Sequence, residues 1–557
     1  MQATGQKITT SYSSFETVRK EGYLYVDKTA YLYGLVTGAD MYFLSRPRRF
    51  GKTLTVSTLE AIFQGRRELF KGLAIDKTDY DWKTYPVVHI DFGSCEEKTA
   101  EGLNTWLCER LSVIARKYGV VLQGREKSSV RFTQLLESLS AQGKVVILVD
   151  EYDKVLSDHA LSDNVLELRD TLKGFYDVIK TESSLLRFAF ITGVTKFSKV
   201  GVFSGMNNLY DATFDLDYGT MLGYTQEELE TYFAGYIDQG VKDTGMERAT
   251  YLARIKGMYD GYRFALDTET VYNPVSVGLF FTRGHGRDFD DYWIETGNMK
   301  LVMDMAQSVD LDVIRDLKDG MDRDALGSFD ITLLKGMEGD VNKVQAFLLQ
   351  TGYLTIDSKD GDLFMLRFPN AEVRNAYSKA FLNRLYQGRS QNIITQMENE
   401  LKKGNTEGFM DLFVGYLAKI PYRQAKKEAD FAQLAVAITS AMSEDVWTVA
   451  EDMTSEGRID LSLTMQRQIY VVEFKVDTGA DAALKQIKDK HYADKFRLER
   501  GKAIHLLGIA FSSTGHTVQD WKEEVLDQYH ADTSVCQNLQ TNASQAGSVD
   551  RSSSPLD

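Results

Sequence analysis

The segment Ser45-Arg46-Pro47-Arg48-Arg49-Phe50-Gly51-Lys52-Thr53 sets Gly-Lys-Thr between an apolar run and a helical pattern, and it constrains the fold more than any other stretch. Residues 41–44 read as the end of a buried strand. Leu54, Ser57, Thr58, Ala61 and Ile62 recur at helical spacing up to Gly65. A strand, a tight loop and a helix N-terminus therefore meet. Backbone N–H groups at such a junction point outward unpaired, and the helix dipole favours anions. Lys52 and Thr53 are the residue types that hold phosphate and Mg²⁺ there. The usual loop of this kind starts with glycine, whereas Arg46 stands at that position, adding positive charge where glycine would give clearance.

Short continuous apolar runs at 41–44, 87–92, 145–149 and 188–191 alternate with helical patterns. Such runs suit strands buried on both faces, so the first third predicts a parallel α/β sheet. At 557 residues the chain exceeds what one core serves, and roughly three domains are expected. Thr225-Gln226-Glu227-Glu228 is a capping box that opens a helical region. Between 344 and 380 a helix, two runs flanking Lys359-Asp360-Gly361, and a second helix from Ala371 read either as a winged helix or as a structural lid with an incidental hairpin. No basic stripe marks the second helix. From about Pro421 the order is a helix over 428–442, three strands, a helix over 481–498 and a strand over 503–511. Beyond about His530 the chain is too polar to offset its ordering entropy. The expected divisions are 1–224, 225–420, 421–530 and a disordered tail over 531–557.

A net charge of -15 argues against coating nucleic acid by bulk charge, so any such contact must be local. Three cysteines without Cys-x-x-Cys spacing, and histidines without ligand spacing, argue against a zinc site and fit a reducing compartment. No apolar run approaches about 18 residues and the first fifteen are polar, which predicts a cytoplasmic protein that does not enter a membrane.

The Gly-Lys-Thr loop gains specificity from a second element, Lys144-Val145-Val146-Ile147-Leu148-Val149-Asp150-Glu151. Asp150, at the strand tip, is placed to hold Mg²⁺ through its water shell. Glu151 is placed to orient an attacking water. The next strand ends at Thr192, read as a γ-phosphate sensor or as a turn residue. The candidate nucleotide contacts are Arg48, Arg49, Phe50, Gly51, Lys52, Thr53, Asp150 and Thr192, with Thr53 and Asp150 as metal ligands.

Near the C-terminus, Glu456-Gly457-Arg458-Ile459-Asp460-Leu461-Ser462-Leu463 and Tyr470-Val471-Val472-Glu473-Phe474-Lys475 alternate as two strands of a hairpin. Glu473 and Lys475 share one face. If the turn is centred between Gln466 and Arg467, Asp460 falls opposite Glu473, with Cβ atoms about 5 Å apart. Two carboxylates so close repel unless a cation lies between them, and oxygen ligands suit Mg²⁺. Lys475 is placed to offset charge or position a water on phosphate. The alternative is a cross-strand polar face with no metal.

Glu21-Gly22-Tyr23-Leu24-Tyr25-Val26-Asp27-Lys28-Thr29, the Ser45–Thr53 segment, Tyr85-Pro86-Val87-Val88-His89-Ile90-Asp91-Phe92 and Val271-Tyr272-Asn273-Pro274 are similar to the AAA-ATPase-like family of bacterial proteins. Its members commonly end in a PD-(D/E)xK nuclease-like domain. In that family arginine at the first loop position looks like the normal form. The Asp460, Glu473, Lys475 set resembles the nuclease signature without its proline. The resemblance carries Glu428 over as a further acidic ligand, and Gln486 and Tyr492 resemble a Gln/Tyr motif of RecB-like nucleases. Basic residues around them, Lys485 to Lys502, read as a backbone-tracking surface or as an ordinary solvated face. Asp27, Lys28 and Tyr259-Asp260-Gly261-Tyr262 also match the family, with no chemistry assigned.

The resemblance implies an α/β fold: an N-terminal P-loop NTPase of the ASCE type, a helical or winged-helix-like middle and a C-terminal restriction-endonuclease-like domain. It implies ATP and Mg²⁺ as cofactors, with Glu151, Asp460, Glu473 and Lys475 catalytic. The expected activity is ATP-controlled, Mg²⁺-dependent cleavage of nucleic acid, DNA above all. The alternatives are a nucleotide switch that binds nucleic acid or a partner without cleavage, and an ATP-dependent regulator acting through homo-oligomerisation.

Overall fold

The computed structural model describes residues 6–11, 13–124, 127–160, 162–196, 208–293, 341–386, 390–418, 428–443, 445–499, 501–514 and 517–526, with the backbone alone at 385 and 428–430. The expected tail over 531–557 lies outside the described residues. The chain divides into two compact units at Ser390/Gln391.

In the first unit, β1 (Met41–Ser45), β2 (Val87–Asp91), β3 (Val145–Asp150), β4 (Leu186–Gly193) and β5 (Tyr210–Asp211) form one sheet in the order β2-β3-β4-β1-β5. Every pairing is parallel. β1 and β3 are buried along their whole length, which is why they read as unbroken apolar runs rather than alternating ones. β4 lies between the strand that feeds the Gly-Lys-Thr loop and the strand that ends in Asp150, the arrangement of an ASCE-type P-loop NTPase. The helix Ala100–Lys117 starts at a Thr99 cap, and the helices Ser128–Ser140 and Val165–Thr181 pack through stacked Phe132 and Phe175 rings, 4.7 Å apart.

The capping box expected at Thr225 is present and opens the helix Gln226–Tyr232. The helix Val341–Thr351, the antiparallel hairpin of β6 (Thr355–Asp360) and β7 (Leu363–Arg367), and the helix Ala371–Leu385 give the helix, hairpin, helix order read from the sequence. This region is tied to the residues that follow β1 and β4: the Phe50 ring lies 4.8 Å from that of Tyr262, and the Lys196 N–H donates to Gln350 Oε1 (2.9 Å). Asn370 Nδ2 donates to the Asp260 carbonyl (2.8 Å), Arg263 N–H to Thr355 Oγ1 (2.7 Å), and Lys28 Nζ to Glu228 Oε2 (2.7 Å). The Tyr259-Asp260-Gly261-Tyr262 run thereby finds its role in packing. Gly261, at φ +107, lies so close to the Pro369 carbonyl that a Cβ would sit 1.9 Å from that oxygen.

In the second unit β8 (Trp447–Met453), β9 (Arg458–Thr464), β10 (Gln468–Val476), β11 (Ala503–Ser512) and β12 (Thr517–Leu526) follow the order β12-β11-β10-β9-β8. β10 and β11 are parallel and joined by the helix Ala480–Asp489; the other pairs are antiparallel. The helix Glu428–Ser440 precedes β8. Three expectations are corrected. The helix read over 481–498 stops at Asp489, because His491 takes a left-handed φ of 48° and a 3-10 turn, Tyr492–Phe496, follows. β12 extends the sheet beyond the strand order read from the sequence. Helices from Ser390 to Leu417, placed by the sequence in the middle region, belong with the second unit: Tyr470 Oη donates to the Leu401 carbonyl (3.2 Å), and Thr406 bonds Glu523.

Candidate functional site

The first cluster stands at the C-terminal edge of the parallel sheet. Gly51 adopts φ +88 and caps the helix Lys52–Phe63, so the turn needs the left-handed conformation that glycine supplies. Lys52 is buried, and its Nζ donates to the carbonyls of Arg46 (3.0 Å) and Pro47 (2.9 Å). Burial lowers its pKa, opposed by Asp150, Asp153 and Glu151. Asp150 is fully buried at the tip of β3. One of its oxygens accepts the Glu151 N–H (2.9 Å), the Thr53 side chain reaches its carboxyl, and Oδ2 is buried without a hydrogen-bond partner. Burial raises the pKa of both Asp150 and Glu151. An orphaned carboxylate oxygen beside a threonine hydroxyl and a lysine fits a hydrated divalent cation on a nucleotide, so Thr53 and Asp150 could hold Mg²⁺.

The loop's other residues divide by direction. Arg46 is 1 % exposed, and its guanidinium is held by the 213–218 segment. Its Nη1 donates to the carbonyls of Ser45 (2.9 Å) and Thr213 (2.5 Å), its Nη2 to that of Tyr218 (3.0 Å), and its guanidinium lies 4.2 Å from the Phe264 ring centroid. Burial lowers its pKa to about 9. The charge that stands where glycine would give clearance is thus a staple between β1 and the 213–218 segment. Arg49 Nη1 donates to the Tyr292 carbonyl (3.0 Å). The Phe50 ring is buried edge-on against Tyr262 (4.8 Å) and Phe264 (5.2 Å), which leaves its backbone as the part that could meet a nucleotide. Arg48 is partly exposed and lies within electrostatic reach of Lys52 and Glu151.

Thr192 is corrected: it is fully buried, and its hydroxyl donates to the Leu44 carbonyl (2.7 Å), fastening β4 to β1 rather than facing a phosphate. What arranges the β4 tip is Asp153, which sequence reasoning missed. Its carboxylate accepts from Val194 N (3.1 Å), Thr195 N (2.7 Å) and Thr195 Oγ1 (2.6 Å). The signal was present in Asp150-Glu151-Tyr152-Asp153, where the fourth residue repeats the acid of the first.

The second cluster lies where β9 and β10 part. The ladder pairs Tyr470 with Leu463, Val471 with Ser462 and Val472 with Leu461, the register that places Asp460 next opposite Glu473. Asp460 Oδ2 accepts the Phe474 N–H (2.9 Å). Glu473 is 2 % exposed. Its Oε1 accepts from Lys475 Nζ (3.2 Å) and from Gln486 Nε2, while Oε2 is buried without a partner. Burial, then the Asp460 charge, push Glu473 up to about 7 against the opposing pull of Lys475. Lys475 Nζ also donates to the Phe474 carbonyl (2.8 Å). The buried orphan oxygen beside a second carboxylate fits a divalent cation held by Asp460 and Glu473. The backbone of Glu428 begins its helix, but its side chain lies outside the described residues. Among the described residues no group of three or more His, Cys, Asp or Glu is arranged to hold a metal. Tyr492 does not join Gln486 at Glu473. Its hydroxyl lies against Gly457, 3.0 Å from where a Cβ would stand.

Fold and sites together define a P-loop NTPase-like nucleotide-binding unit followed by a nuclease-superfamily domain. A family model described as predicted AAA-ATPase matches residues 10–203, and one described as PD-(D/E)XK nuclease superfamily matches residues 426–521. The "Uncharacterized protein in vnfD 5'region" of Azotobacter chroococcum mcd 1 is 35% identical over 542 residues, covering 94% of this chain and 99% of that protein. The chain belongs to this family of predicted AAA-ATPases with a C-terminal PD-(D/E)XK nuclease-superfamily domain. A solved structure titled "Structure of the Aeropyrum Pernix ORC2 protein (ADPNP-ADP complexes)" is 14% identical, covers 64% of this chain and 92% of its own, and has a TM-score of 0.22. No helix among the described residues is long and apolar enough to cross a membrane.

Proposed function

We propose that the first unit binds and hydrolyses ATP and that its nucleotide state controls Mg²⁺-dependent cleavage of DNA by the second. One observation carries this reading. Each unit buries a carboxylate oxygen without a hydrogen-bond partner, Asp150 Oδ2 and Glu473 Oε2, and each has a lysine at the same cluster, Lys52 and Lys475. Such oxygens are costly unless a cation or a proton completes them; Asp260 Oδ1 and Glu372 Oε2 are likewise unpartnered in the first unit, but only the sets at Asp150 and Glu473 join the lysine and second acid that suit phosphate chemistry.

In the first unit Lys52 and the outward N–H groups of the loop hold the phosphates, and Glu151 orients the attacking water. In the second, Gln486 and Lys475 fix the Glu473 carboxylate, the Phe474 N–H fixes that of Asp460, and the Lys475 ammonium steadies charge on the phosphate. A bound Mg²⁺ supplies Lewis acidity at both sites. Release of phosphate from ATP by the wild type and by Lys52→Ala tests the first half; equal rates sink it.

A second reading, a nucleotide switch that binds nucleic acid without cutting it, is favoured by one fact: no third acidic or imidazole ligand joins Asp460 and Glu473 among the described residues. Incubation of plasmid with Mg²⁺ and ATP separates the two readings.

A further inference from the structure

Asp91 ends β2 as Asp150 ends β3, and the two residues are paired in the parallel ladder. Two residues on, Gly93 is the point where two carboxylates approach. A Cβ built there would lie 2.9 Å from Asp91 Oδ1 and 3.2 Å from Glu151 Oε2, so these oxygens lie within about 6 Å of each other. Glu151 holds a left-handed φ of 50°, a conformation that costs a non-glycine residue about 1 kcal/mol or more and is kept where the surroundings demand it. Beside them Asp150, fully buried, leaves Oδ2 without a partner. Asp91 and Gly93 are exposed, so water enters the space between the two acceptors over a residue with no side chain.

We propose that Asp91 is a positioning residue of the nucleotide site, sharing with Glu151 the water that attacks the γ-phosphate, in the gap that Gly93 leaves. This rests on the ATP-hydrolysis reading above. The water oxygen bonds to the γ-phosphorus, the bridging P–O bond breaks with its electrons leaving on ADP, and the water proton passes to Glu151. Asp91 accepts the second water hydrogen and fixes the direction of attack.

Asp91 has a simpler duty as well. Its Oδ1 accepts the Gly93 N–H (2.7 Å) and caps the short turn Phe92–Ser94. Asparagine keeps that cap and removes the charge, so Asp91→Asn separates the two roles. Gly93→Ala fills the gap from the opposite direction. The test is steady-state phosphate release from ATP by the full chain, with the affinity of a fluorescent ATP analogue and the Tm measured in parallel. The expected result is a kcat roughly tenfold to a hundredfold lower in both variants. KM and analogue affinity stay within about twofold of the wild type, and the Tm of Asp91→Asn is unchanged. Wild-type kcat in Asp91→Asn makes the residue a turn cap alone and overturns the proposal. Wild-type kcat in Gly93→Ala overturns the shared-water geometry. Release of no phosphate by the wild type overturns this inference together with the ATPase reading, an outcome distinct from the other two.

Discussion

The Phe474 backbone N–H donates to Asp460 Oδ2 at 2.9 Å, just past the Leu461–Val472 pair at which the β9–β10 ladder ends. A carboxylate so held is both a structural link and a charge. Asp460→Asn keeps an acceptor for that N–H, and its stability is expected within about 0.5 kcal/mol of the wild type. Asp460→Ala loses the link and about 1–2 kcal/mol. Both lose Mg²⁺ binding at this site, measured by calorimetry on the full chain. Undiminished Mg²⁺ binding in Asp460→Ala would remove it from the ligand set.

Glu473 sets a pH dependence of definite sign. Its carboxyl is raised from an ordinary 4.5 to about 7, so between those values the folded state holds a proton that the unfolded state has lost. That contribution to stability is complete below about 4.5 and lost as pH rises to about 7, on the order of 2–3 kcal/mol. Metal-free wild type should therefore lose stability relative to Glu473→Gln between pH 5 and about 7.5, read from urea midpoints. A pH-independent difference contradicts the assignment.

Arg46 and Lys52 should separate stability from binding. Arg46→Ala strands the carbonyls of Ser45, Thr213 and Tyr218 and is expected to cost about 2–4 kcal/mol. Arg46→Gly, which restores the commoner loop residue, should be no better. Lys52→Ala also strands two carbonyls, those of Arg46 and Pro47, but removes a buried charge whose desolvation offsets that loss, so stability should change by about 1 kcal/mol while nucleotide affinity falls at least about tenfold. Thermal melts with and without an ATP analogue distinguish the pair.

Asp153→Ala strands the N–H groups of Val194 and Thr195 and should cost about 2–4 kcal/mol. Amide hydrogen exchange should rise first at Val194 and Thr195. Protection equal to the wild type there would deny Asp153 its role at the β4 tip.

β1, β3 and the β9–β10 register were legible because burial on both faces gives unbroken apolar runs, and because strand period and turn centre together fix which residues oppose. Asp460 and Glu473 followed from that register. The direction of Arg46 was not legible: it is set by carbonyls at 213 and 218, far along the chain. Thr192 was misread because strand-tip position does not show which way a hydroxyl turns. β5 is two exposed residues held by pairing to β1, and β12 is a polar strand whose ladder with β11, rather than its own pattern, defines it. The helix from Ala480 was overextended because apolar residues at Tyr492, Ala493 and Phe496 continue its periodicity across the break at His491.

The most direct test of nucleotide-controlled cleavage is treatment of plasmid DNA with wild type, Lys52→Ala and Glu473→Ala in Mg²⁺, each with and without ATP. The expected result is nicking by the wild type that responds to ATP, loss of that response in Lys52→Ala, and no nicking by Glu473→Ala. Equal inertness of wild type and Glu473→Ala across substrates and nucleotides, or equal nicking by both, contradicts it.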